Sequence, residues 1–211
     1  MFDIIFDATL ATLYMVFWST LLAVILGFIP AVVLTLSADD GLKPNKPIYE
    51  TLSLIVNVFR SFPFIILLVI VIPLTRLIVG KAIGSTAAIV PLTISAIPFV
   101  ARVFESSLRG VDPGVIEAAR SFGASDFQII FRVYLKEAFP SMVNDITLLI
   151  INLVGYTAMA GSVGAGGLGD VAIRFGYQRY QLDYLVVTSI ILIVLVQIVQ
   201  MVGNTIFKKT S

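Results

Sequence analysis

The chain has 211 residues, 58% of them hydrophobic and 13% charged, with a net charge of +1 and a mean hydropathy of +1.02. One water-facing core cannot bury that much apolar surface, so lipid is the missing solvent, and the charge balance gives no basic face for nucleic acid. With Cys 0 and His 0, thiolate sites, imidazole-ligated metals, Cys-His pairs and Ser-His-Asp triads are excluded, and the scattered carboxylates form no calcium-loop motif.

The first apolar run, Ala8 to Ala38, carries no charge and exceeds the roughly 20 residues needed to cross a bilayer. Its flank holds Asp3 and Asp7 but no Lys or Arg, and the run is too long for a signal-peptide core, so it is expected to remain as a membrane helix. A polar turn, Asp39 to Pro47, follows. Further runs extend from Tyr49 to Thr75 (broken by Arg60), Ala82 to Val100, Ile146 to Leu168 (ending in glycines) and Tyr184 to Phe207. The expectation is an all-α integral membrane protein of five spans in a single domain, 1–211.

An odd number of spans puts the termini on opposite sides. With the N-terminus outside, the inner segments hold Lys43, Lys46, Arg109, Arg120, Arg132, Lys136, Lys208 and Lys209, and the outer ones only Arg76, Lys81, Arg174 and Arg179. The positive-inside rule therefore favours an external N-terminus and a cytoplasmic C-terminus.

Within the second run, Arg60 is either a functional intramembrane charge or a side chain snorkelling to the headgroups. Pro63, Pro73, Pro91 and Pro98 are expected to interrupt helices and free carbonyls that neighbours or a water-lined cavity must satisfy.

The sustained polar stretch lies at Asp112 to Pro140, in a cytoplasmic loop of about 109–140. Asp112 and Pro113 form a helix start, and Val115, Ile116, Ala119 and Phe122 fall on one face, opposite Gly114, Glu117, Arg120 and Ser121. Gly123 ends that helix. Ser125 and Gln128 make a capping box for the next, in which Phe127, Ile130, Phe131 and Tyr134 repeat at helical spacing. Two helices meeting at a glycine form an elbow.

Farther on, Asn152, Gly155, Tyr156, Met159 and Val163 share a helical face suited to lining a pore, with Met159 flexible enough to gate it. Helix–helix adhesion is the competing reading of the same small and polar residues. The run Gly161-Ser162-Val163-Gly164-Ala165-Gly166-Gly167-Leu168-Gly169 lacks the Lys-Ser/Thr of a Walker motif and reads as tight backbone turns where the chain folds back. An ATP site, if one drives this chain, lies on another polypeptide.

Glu117-Ala118-Ala119, Gly123 and Leu135-Lys136-Glu137-Ala138-Phe139-Pro140 resemble the EAA loop of bacterial ABC importer permeases. Phe59-Arg60-Ser61-Phe62-Pro63-Phe64-Ile65-Ile66-Leu67-Leu68, Ile89-Val90-Pro91-Leu92-Thr93 and Gly155-Tyr156-Thr157-Ala158-Met159-Ala160 with its glycine tail are similar to the methionine-uptake permeases, along nearly the whole chain. The resemblance implies a non-enzymatic permease for L- and D-methionine in the bacterial inner membrane, a homodimer with its pathway along the dimer axis. It also implies two copies of a separate ATPase that holds ATP and Mg, an external substrate-binding lipoprotein, and no cofactor on this chain. Val115, Ile116, Glu117, Ala118, Ala119, Arg120, Phe122, Gly123 and Ala124 would then dock the ATPase. The family's Leu-Pro is Phe139-Pro140 here, with the helix break expected to persist, and Arg120 is left to pair with Glu117 or the ATPase. The alternatives are an ABC permease for another amino acid or small solute, an ATP-independent channel or carrier, which calls for charged relays or internal repeats that are not evident, and a membrane scaffold without transport.

Overall fold

In lipid every backbone amide and carbonyl needs a partner within the protein, which leaves helices as the natural state of long apolar runs. The computed structural model describes residues 1–210, and no strand occurs among them. Four segments are long and apolar enough to cross a membrane: α1 (Phe2–Ser37), α5 (Ser85–Arg109), the continuous helical stretch Asp126–Gly161, and α10 (Leu182–Thr210).

The second apolar run departs from the expected single span. It forms α2 (Lys46–Arg60), α3 (Phe64–Ile70) and α4 (Ile72–Val79), with α2 and α3 bent by 99° at Ser61-Phe62-Pro63. Taken as one broken span, the pair brings the number to five. Pro63 supplies the physical reason, since its fixed φ and missing amide stop α2 from continuing and restart the chain at Phe64.

Pro91 and Pro98 do not interrupt anything; both lie inside an unbroken α5, and Pro140 lies inside α8 (Leu135–Gly161) rather than ending a helix. Each removes one backbone bond, but the flanking residues are anchored: Leu92 and Val100 are buried beside the first two, Ala138 and Met142 beside Pro140. Packing on both sides of the ring holds the helix together.

The closest helix pair is α1 with α5. Along one stripe of α1 the residues Ala8, Thr12, Ser19, Ala23, Gly27 and Ala31 are buried. Apolar surface gains nothing by leaving lipid, so membrane helices associate through close van der Waals approach of small residues. Gly27 shows how close: a Cβ there would lie 2.7 Å from Val100 Cβ and 2.9 Å from the Ile97 carbonyl oxygen.

At one end of the bundle the chain leaves α8, turns through Gly164, Gly166 and Gly167 (φ +90°, +79° and +81°) and re-enters as α9 (Gly167–Val171), a π-turn (Ala172–Tyr177) and α10. A Cβ at Gly161 would strike the Asp170 amide, and one at Gly169 the Ala158 backbone. The glycine run is thus the fold-back expected of it. Leu168 N–H donates to Thr12 Oγ1 at 2.9 Å, Gly84 N–H to the Gly164 carbonyl at 3.0 Å, and Ser85 Oγ to the Ala165 carbonyl at 3.0 Å. The 38–45 turn and the elbow meet at the opposite end, where Lys43 pairs with Asp126.

Replacing Gly27 by Val forces a branched side chain into the α1–α5 seam and should destabilise the chain by about 1–3 kcal/mol. Gly155→Ala, where a Cβ meets nothing within 4 Å, should leave stability unchanged or slightly raised. Denaturant titration of the two variants in detergent reads the contrast; equal tolerance at both positions would contradict the seam.

Candidate functional site

The elbow forms as its local sequence dictates. Asp112 Oδ1 accepts from the Gly114 amide at 2.8 Å, Pro113 opens α6 (Pro113–Ser121), and Gly123, at φ +79°, closes it with the Ala124 amide reaching back to the Ala119 carbonyl at 3.1 Å. That left-handed residue followed by a bond from C″ is how a glycine stops a helix and redirects the chain. Ser125 and Gln128 then complete the reciprocal capping box of α7 (Asp126–Gln128), whose end passes through a π-turn, Ile129–Tyr134, directly into α8. The second helix of the elbow and the long membrane helix are therefore one continuous lever.

The apolar face expected on α6 is divided. Ile116, Ala119 and Ala124 pack inward against the core, whereas Val115 is 41% and Phe122 91% exposed. Phe122 sits beyond the last turn, where Gly123 swings it away from Ile116 and outward. Phe127 and Phe131, with ring centroids 4.5 Å apart, are also exposed, as are Glu117 and Ala118. The elbow thus presents aromatic surface that its own chain leaves bare, and such patches mark interaction sites.

Its other side is tied down. Arg120 donates through Nη2 to the Leu42 carbonyl at 2.9 Å, and so contacts the 38–45 turn rather than Glu117. Lys43 Nζ lies 2.8 Å from Asp126 Oδ2, and Arg109 Nη2 2.9 Å from Asp40 Oδ1. Between turn and elbow remains a cavity of ≈ 290 Å³ bordered by Asp40, Arg109, Glu117, Arg120 and Tyr134.

Behind the elbow lies a polar cluster that sequence reasoning missed. Glu105, 2% exposed, receives Arg102 Nη1 at 2.7 Å and the Tyr49 hydroxyl at 3.0 Å, with Arg109 at 3.7 Å. Arg102 extends the cluster onto α2 through Ser53 Oγ at 2.7 Å and Asn57 Oδ1 at 2.9 Å. Ser107 Oγ donates to Asp145 Oδ2 on α8 at 2.5 Å. The sequence did carry a signal: Arg102, Glu105 and Arg109 are spaced i, i+3 and i+7 at the end of an apolar helix. Their partners, 45 to 69 residues away in sequence, were not legible.

On α8 and in the turn just past its end the expected pathway face is largely uncovered. Asn152, Gly155, Met159 (51%) and Val163 (42%) are exposed. Tyr156 is the exception, half-buried with its ring stacked on Phe64 at 4.7 Å and 6°. The five do not form one free surface, because Phe64 reaches the edge of the face from the broken helix. Arg60, the last residue of α2, is exposed and has no hydrogen-bond or ion-pair partner among the described residues. No group of His, Cys, Asp or Glu among them is arranged to hold a metal ion.

Comparison with known proteins places this geometry in context. Residues 23–209 match the model of the binding-protein-dependent transport system inner membrane component. A probable D-methionine transport system permease of Vibrio cholerae is 50% identical over 209 residues, covering 99% of this chain and 93% of that one. The methionine import system permease of Bacillus subtilis is 41% identical, covering 96% and 91%. A solved structure of the MetNI methionine ABC transporter in inward-facing conformations superposes with a TM-score of 0.98 at 43% identity, over 100% of this chain and 98% of that chain.

Removing the buried carboxylate leaves Arg102 facing a low-dielectric site without its counter-charge, so Glu105→Ala should cost about 3 kcal/mol. Chemical denaturation of the wild type, Glu105→Ala and the doubly truncated Glu105→Ala/Arg102→Met protein measures this. The double variant should recover much of the loss, and a single variant as stable as the wild type would contradict the burial argument.

Proposed function

The chain belongs to the family of binding-protein-dependent transport system inner membrane components, and on that premise we propose that it is the permease subunit of an ATP-driven importer for methionine, in both L and D forms. The names of the relatives in Vibrio cholerae and Bacillus subtilis and the superposition on the methionine transporter support the substrate. ATP hydrolysis and its Mg belong to a separate ATPase subunit, so this chain is not itself an enzyme.

The observation that carries the reading is the bare aromatic surface of the elbow, Phe122, Phe127 and Phe131, on a segment whose opposite side is fixed to the bundle by Arg120 and Lys43. A helix offering its apolar groups outward while its base is held is suited to sit in another protein's groove and transmit that protein's movement. We assign Val115, Glu117, Ala118, Phe122 and Gly123 to the docking surface proper, with Ile116, Ala119, Arg120 and Ala124 seating the elbow on the bundle.

The working unit is two copies of this chain over two ATPases, in the bacterial inner membrane, with a substrate-binding lipoprotein delivering methionine outside. The charge bias puts the N-terminus outside and the elbow and C-terminus in the cytoplasm. Closure of the ATPases on ATP draws the elbows together, and the α8 helices carrying Asn152 and Met159 tilt from inward-open to outward-open. Nucleotide and substrate shift the same two-state equilibrium because each binds one state better than the other. Met159, long and flexible on the bare face, closes the pathway between strokes.

Phe122→Glu tests the docking assignment. Charging a central aromatic anchor typically costs 2 kcal/mol or more, or about 30-fold in affinity, so the purified variant should retain its helical content and lose both the ATPase and ATP-driven methionine uptake. Undiminished co-purification of the ATPase would remove the elbow from the interface.

A further inference from the structure

The contacts of its neighbours place Arg60 part-way along the bundle, between its two ends. α2 rises along α5 from the elbow end: Tyr49 bonds Glu105, and Ser53 and Asn57 bond Arg102. Arg102 is itself two turns, about 10 Å, short of the Arg109 end of α5. Arg60 lies nearly one turn beyond Asn57. Approaching from the other side, Phe64 stacks on Tyr156, which is about 8 Å short of the Gly161 end of α8. Arg60 falls between these two levels, in a hydrocarbon layer about 30 Å thick.

A guanidinium in lipid is costly, and although Arg60 ends α2, the chain continues into α3 toward the other end of the bundle, so its side chain has a long reach to either headgroup layer. Arg102, the other arginine of this region, solves the problem with Glu105, Ser53 and Asn57. Arg60 has none of these; its side chain is exposed and unpartnered among the described residues. The segment that follows it runs to the edge of the pathway face, since Phe64 packs on Tyr156. A charged group that is free in the protomer, part-way along the bundle and one bend before the residue that meets that face, is a charge kept for something that passes.

We propose that Arg60 is the carboxylate anchor of the translocation pathway, binding the α-carboxylate of the amino acid in transit through its planar fork of N–H donors. This rests on the reading of the chain as an amino-acid permease. A zwitterion crossing a low-dielectric passage carries a carboxylate that needs a counter-charge, and a guanidinium matches it with two parallel hydrogen bonds. Lipid phosphates lie at the headgroups, out of reach of this depth. The methionine side chain is then left to the apolar and thioether surface of Met159 and Val163, so the anchor selects amino acids as a class and leaves side-chain choice to other contacts.

The test uses the intact complex with its ATPase and binding protein in proteoliposomes, measuring methionine taken up per ATP hydrolysed for Arg60→Lys, Arg60→Gln and Arg60→Glu. Loss of a charge-assisted hydrogen bond predicts about a tenfold fall in transport per ATP for Gln, with a further fall for Glu. Lys keeps the charge but loses the second parallel hydrogen bond of the fork, so it should fall between wild type and Gln. Wild-type coupling in Arg60→Gln, or a Lys variant as impaired as Gln, overturns the anchor. If Arg60→Gln does not assemble, Arg60→Lys alone decides, and wild-type coupling in it overturns the anchor. Failure of the wild-type complex to import methionine overturns the substrate reading instead, and the series is then run with whichever amino acid co-purifies with the binding protein.

Discussion

A single buried carboxylate organises the end of the bundle that meets the elbow. Glu105 is the one charged residue among the buried polar groups, and Arg102, Arg109 and Tyr49 converge on it. A charge in that position is tolerable only while its partners stay in place. The cluster therefore fixes α2 to α5, and through Arg109 and Asp40 it fixes α5 to the 38–45 turn. That turn in turn receives Arg120 and Lys43–Asp126 from the elbow. The contacts of α6 thus lead, through the 38–45 turn, to helices that are long enough to cross the membrane.

The rest of the fold extends those contacts. α5 is locked to α1 by the small-residue seam around Gly27, so the two move as one body. The π-turn Ile129–Tyr134 makes the elbow's second helix continuous with α8, which bears the exposed Asn152 and Met159, with Val163 just past its end. The glycine fold-back ties the far end of α8 to α1 through Leu168 and Thr12. α10, with only Thr188 and Gly203 buried, stands at the periphery. The elbow and the exposed residues of α8 are thereby joined through one connected set of contacts.

What the sequence disclosed follows the range of the interactions. Asp112, Gly123 and the Ser125–Gln128 box act within a few residues, and each behaves in the structure as its local chemistry requires. The glycine run from Gly161 was equally legible, since only backbone freedom distinguishes those positions. Pro63 separates two helices while Pro91, Pro98 and Pro140 lie inside unbroken ones, a difference that the proline alone does not encode. The division of the α6 face, the covering of Tyr156 by Phe64 and the cluster around Glu105 all depend on segments far apart in the chain. Periodicity describes one helix and carries no information about which neighbour meets it.

The lever connecting elbow to lining is tested most directly by paired distances across two copies in the assembled complex. Spin labels at Ser121, on the elbow, and at Ser162, at the far end of α8, are both on exposed positions. With a non-hydrolysable ATP analogue the Ser121 pair should move closer as the Ser162 pair moves apart, both in the same fraction of molecules. Elbows that close while the Ser162 distance keeps its nucleotide-free value would contradict a rigid connection between the docking surface and the pathway.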